Sequence, residues 1–188
     1  MRLVVVGTSG SGKSTFAKAF AGAAGYPLIE LDALYWDKDW TPKPGARFAE
    51  LVAAAIGGDR WVADGNYGAV RHIVWPLATH VIWLNYGRAT VFSRVLRRTL
   101  KRTLTREVLW HGNRESLRRA FFSRESILLW ALSTYAMNRV KYKALRTEGA
   151  YPHLQWLEFT HPAAAQAFLR EQSSNAGAHQ AGSQAPRN

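Results

Sequence analysis

Residues Gly7-Thr8-Ser9-Gly10-Ser11-Gly12-Lys13-Ser14 form a complete G-x-x-x-x-G-K-[ST] phosphate loop. Glycines 7, 10 and 12 allow backbone conformations closed to other residues, so successive N–H groups can converge on phosphate oxygens. The helix that follows adds the positive end of its dipole. Lys13 is placed to reach the β and γ phosphates, and Ser14 to hold Mg²⁺. The loop residues Gly7, Ser9, Gly10, Ser11, Gly12, Lys13 and Ser14, with Thr15 beside them, are therefore candidates for binding ATP and Mg²⁺.

Two carboxylates, Asp32 and Asp64, each read as closing a strand on the sheet edge where the loop emerges, which is where ligands of open α/β sheets bind. Asp64 is the candidate to hold Mg²⁺ through water. The run Asp64-Gly65-Asn66 is also good turn chemistry, so a cap is the competing reading. Asp32 would contact an acceptor or act as a general base. Tyr35, Trp36 and Trp40 follow it, suited either to stacking on a base or sugar or to plain packing. Around residues 94–102, Arg94, Arg97, Arg98, Lys101 and Arg102 share one helix face, opposite Phe92, Leu96 and Leu100. Like charges so close repel, which favours an anionic ligand over a merely solvated face.

These residues need elements to position them. Leu3–Val6 reads as a β-branched strand buried on both faces, running straight into Gly7. Further strands are expected at 27–31, 60–63, 80–84 and 154–159, with helices over 13–24, 47–56 and 163–171. Strands alternating with helices imply right-handed βαβ units. The expected fold class is α/β, a P-loop NTPase three-layer sandwich with a five-stranded parallel sheet, helices on both faces and an Arg-rich helical lid. The domain would span 1–171 with a basic insertion at about 88–146, and 172–188, rich in Ser, Asn, Gly, Ala and Gln, would be a disordered tail.

The 188 residues suit one domain, and their 47% hydrophobic and 20% charged content excludes a wholly disordered or fibrous protein. Segment 88–146 holds 15 of the 25 Lys and Arg against three Glu, so the chain's net charge of +12 resides there. Its ligand should be anionic. The chain has no cysteine, which removes thiol nucleophiles and thiolate metal sites and suits a reducing compartment. The Leu3–Val6 run is too short for an export signal, and no stretch is long enough to span a membrane, so a cytoplasmic protein is expected. The six His show no ligand-like spacing, and the oligomeric state is open.

The phosphate loop, Leu31-Asp32-Ala33-Leu34-Tyr35-Trp36, Asp64-Gly65-Asn66-Tyr67 and the Arg-dense segment together resemble the small adenylate-kinase-related P-loop proteins of bacteria often labelled DNA topology modulation proteins. The likeness covers about residues 1–170. It implies a Mg²⁺-dependent kinase in which Lys13, Asp64, Arg94, Arg98 and Arg114 act on the transferring phosphoryl group. Asp32, Tyr35 and Arg118 would then serve a small anionic acceptor. Arg94 and Arg98 match the arginine pair leading into the lid of nucleotide kinases, and Arg114 and Arg118 stand for those beyond it. Adenylate kinases carry Asp-Gly-Phe-Pro-Arg where this chain has Asp64-Gly65-Asn66-Tyr67-Gly68, so AMP is not carried over as the acceptor. The competing class is a nucleotide-dependent nucleic-acid-binding regulator using 88–146, which a pI near 10.5 permits.

Overall fold

The computed structural model describes residues 1–105, 108–113 and 127–182. Five strands, β1 (Arg2–Gly7), β2 (Leu28–Glu30), β3 (Trp61–Asp64), β4 (His80–Leu84) and β5 (Gln155–Phe159), form one sheet in the order β2-β3-β1-β4-β5. Every pairing is parallel. The central strand β1 pairs with β3 on one side and β4 on the other, so the loop after it sits where the strand order reverses.

Alternation along β1 builds two cores. Val4 and Val6 join Phe48, Val52, Trp83 and Tyr142 on one face, while Leu3 and Val5 join Phe16, Phe20, Val95 and Tyr135 on the other. Burial on both faces explains why β1 reads as an unbroken apolar run. Among the described residues the main helices are α1 (Lys13–Ala24), α2 (Leu31–Tyr35), α3 (Gly45–Ala55), α4 (Arg71–Val74), α5 (Arg88–Leu104), α6 (Ile127–Thr147) and α7 (Pro162–Gly182). No described helix is long and apolar enough to cross a membrane.

Two differences from the sequence reading have physical reasons. Strand β2 stops at Glu30, and Asp32 lies in the first turn of α2 instead of closing the strand; an acid there suits the positive end of the helix dipole. Helix α7 does not stop at Glu171 but continues to Gly182, so residues 172–182 are helical where a tail was expected. The hydroxyls of Ser173 and Ser174 donate back to the carbonyls of Leu169 and Arg170, and no proline interrupts the run. On α5 the buried stripe is Val91, Val95 and Thr99, whereas Leu96, Leu100 and Leu104 are exposed. The helix turns its arginine-bearing edge inward because that edge meets the phosphate loop.

Candidate active site

The loop between β1 and α1 adopts the left-handed geometry its glycines permit, with φ of 83° at Gly10 and 89° at Gly12. Gly10 has a second reason to be glycine. A Cβ there would collide with the Val95 side chain and stand 2.8 Å from the Val91 carbonyl, so α5 lies directly on the loop. The Ser11 N–H closes a turn onto the Thr8 carbonyl at 3.0 Å, and the Lys13 ammonium donates to the same carbonyl at 3.3 Å. Asn66 clamps the loop's first residue from β3's side, donating to the Gly7 carbonyl at 2.6 Å and accepting from the Gly7 N–H at 3.2 Å.

Two of the predicted arginines meet this loop. Arg94 donates to the Ser11 carbonyl at 3.1 Å and lies over the Tyr86 ring at 5.3 Å. Arg98 donates to the Ser9 hydroxyl at 3.3 Å. Arg97 and Lys101 face solvent. The basic face is therefore split between site and surface. Arg114 and Arg118 lie outside the described residues.

Asp64 ends β3 and is buried, 5% exposed. Lys13 and the Ser14 hydroxyl both lie close enough to favour its charged form. Burial outweighs both and pushes its pKa up. Its Oδ1 has no hydrogen-bond partner, an uncommon state for a buried carboxylate oxygen. A buried oxygen acceptor without a partner, beside a loop serine hydroxyl, suits a hard divalent cation such as Mg²⁺. Lys13 is driven the other way: burial lowers its pKa, while Asp64 and Asp32 partly restore it.

Two clefts share these residues. One, of about 390 Å³, runs from Gly12 and Lys13 along Tyr86 and Arg94 to Ala165 and Leu169 of α7. The other, of about 1070 Å³, holds Glu30, Asp32, Trp36, Trp40, Asp64 and Trp110. Lys13, Ser14, Thr15, Arg98 and Arg102 border both. Asp32 thus reaches the second cleft from α2. The Tyr67 hydroxyl donates to its Oδ1 at 2.5 Å, and burial beside that carboxylate keeps the Tyr67 pKa far above its ordinary value. Tyr35 does not line either cleft; its ring packs among Trp36, Phe48 and Tyr67 at 4.8–5.1 Å, so packing is what the structure gives it.

Sequence reasoning missed Glu30, Tyr67, Tyr86 and Trp110 as site residues. The Trp110 indole N–H donates to Glu30 Oε2 at 2.7 Å, and Asn113 donates to the Asp37 carbonyl at 2.8 Å. Both contacts span more than 70 residues, and nothing local in the sequence marks them. Tyr67 stood next to the flagged Asp64-Gly65-Asn66, and its position three residues past the strand end was the available signal.

A gluconokinase from Sinorhizobium meliloti 1021 has a similar solved structure, with a TM-score of 0.50 and 19% identity, over 93% of this chain and 90% of that chain. No protein-family model and no curated protein matches the sequence. The five-stranded parallel sheet with helices on both faces is thus the α/β fold of a P-loop kinase.

Proposed function

We propose that this protein is a Mg²⁺-dependent phosphotransferase that moves the γ-phosphoryl group of ATP to a small molecule. The observation that carries the reading is the pair of clefts meeting at Lys13, Ser14, Arg98 and Arg102. A donor in one and an acceptor in the other would face each other across the groups that neutralise a transferring phosphoryl group. The 390 Å³ cleft, with Tyr86, Ala165 and Leu169 on its walls, suits the nucleoside of ATP. Ser14 and Asp64 would hold Mg²⁺, whose bound charge would offset that of the phosphates. Lys13, Arg94 and Arg98 then supply fixed positive charge around the γ position.

Two acceptor classes suit such a site. The arginine-rich segment favours an acceptor that already carries negative charge, as in the nucleotide kinases that the sequence resembles; Arg114 and Arg118 would belong to its clamp. The gluconokinase likeness raises the other class, an acceptor with a hydroxyl. The nucleic-acid reading has no comparable support, since Arg94 and Arg98 turn toward the phosphate loop.

Release of ADP from ATP in a coupled assay tests the proposal. It should require Mg²⁺, stop with EDTA and rise when a competent acceptor is added. Absence of any ADP above a protein-free control, with water or with added acceptor, contradicts it.

A further inference from the structure

Building on that phosphotransferase reading, we infer that the group attacked by the phosphoryl donor is a hydroxyl of an uncharged polyol or sugar-like acceptor, with Asp32 receiving its proton. The acceptor cleft has walls that it does not share with the ATP side. The cations Lys13, Arg98 and Arg102 also border the ATP side, and Arg98 is tied to Ser9 of the phosphate loop. Their partner is the phosphoryl group in transit. Among the described residues, the charged groups lining only the acceptor side are Glu30, Asp32, Asp64 and Lys18. With Asp64 given to Mg²⁺, Glu30 and Asp32 still face Lys18, and their oxygens accept hydrogen bonds from hydroxyls while repelling an incoming phosphate.

The aromatic walls point the same way. Trp36 and Trp40 meet edge to face at 5.7 Å beside the cleft, and Trp110 stands at its edge with its N–H on Glu30. Indole faces cover the C–H surface of a polyol while carboxylates take its hydroxyls.

Asp32 is built for one task more than packing. Its Oδ1 is held by the Tyr67 hydroxyl, and its other carboxylate oxygen takes no hydrogen bond from the described residues. The carboxylate is therefore oriented on one side and free on the other, near enough to Lys13 to influence its charge. In the step proposed, the acceptor oxygen forms a bond to the γ phosphorus and its proton passes to the free oxygen of Asp32. The bond from the γ phosphorus to the β,γ-bridging oxygen breaks, and its electron pair leaves on ADP. No oxidant or reductant is needed.

The test uses the full chain with Mg²⁺ and ATP, and water as the smallest hydroxyl acceptor. Further probes are glycerol, ribose, glucose, inositol and uncharged nucleosides, compared with the nucleoside monophosphates. At least one hydroxyl probe should raise ADP release above the water rate and yield a phosphomonoester. Asp32→Asn should lower kcat for that probe and for water by about 10²- to 10⁴-fold, the usual contribution of a positioned base. It should leave ATP affinity within about twofold, since the base meets only the proton in flight. Tyr67→Phe, which keeps the carboxylate but frees its rotation, should lower kcat less. Formation of a nucleoside diphosphate from a monophosphate, failure of every hydroxyl probe, or an Asp32→Asn variant at wild-type rate overturns the inference while leaving a kinase in place. Absence of ADP from wild-type protein under every condition removes the kinase reading itself.

Discussion

The Arg94 guanidinium donates to the carbonyl of Ser11 at 3.1 Å, joining α5 to the phosphate loop across 83 residues of chain. The helix expected from sequence to lead a swinging lid is therefore already docked at its first half. Arg94→Ala should loosen this junction and weaken ATP binding, whereas Arg98→Ala should act on kcat. If Arg98 meets the transferring group, its loss should cost about 10³-fold or more in kcat, as for other transition-state arginines. Steady-state kinetics that separate KM from kcat distinguish the two.

Lys13→Met should reduce ATP affinity by about 10- to 100-fold, the worth of one charge-assisted hydrogen bond to phosphate. The ligand-free variant should unfold at no lower a temperature than wild type, because the burial that lowers the Lys13 pKa makes its charge a cost to the fold as well as an asset to the site. Calorimetric titration with Mg²⁺-ATP and a melting curve check both halves. In the wild type, ATP affinity should begin to fall at a pH below the ordinary lysine range as Lys13 loses its proton.

Asp64→Asn should lower turnover more than affinity. The sign for stability is opposite. Burial raises the Asp64 pKa, so the folded state holds that proton more tightly than the unfolded chain, and ionisation of Asp64 weakens the fold as pH rises through that raised value. The Asn variant should therefore unfold at a higher temperature than wild type at neutral pH, in the absence of ligand and metal. Melting temperatures of the ligand-free proteins across pH, with steady-state kinetics of the variant, report these effects.

Gly10→Ala should cost about 1–3 kcal/mol through overpacking, because the methyl group has no space beside Val95 and the Val91 carbonyl. The backbone, at φ 83°, adds strain for any residue with a Cβ. Since α5 must move away to admit the methyl group, Arg94 and Arg98 leave the loop, and ATP affinity should fall with stability. Urea unfolding and ATP titration of the same preparation test the link.

The strands, α1 and the phosphate loop were legible in the sequence because their signals are local. Leu3–Val6 is a buried-strand run, and the glycine spacing carries its own backbone chemistry. The ends of Asp32's element were not, since Leu31 continues the apolar pattern of β2 while the backbone has already turned into α2. The orientation of α5 was not legible for a related reason. Periodicity separates its basic and apolar faces but says nothing of which one the rest of the protein requires, and the space above Gly10 decides that. Glu30 and Trp110 became site residues only through a contact between distant segments.

Phosphorus-31 NMR of ATP, Mg²⁺ and an accepted hydroxyl probe mixed with the wild-type protein follows phosphoryl transfer itself. The γ-phosphate resonance should decay as ADP and one phosphomonoester resonance grow in equal amounts, and Lys13→Met should abolish the change. An ATP spectrum that stays intact with wild-type protein, or product formed at the same rate by Lys13→Met, would contradict phosphoryl transfer from the Gly7–Ser14 loop.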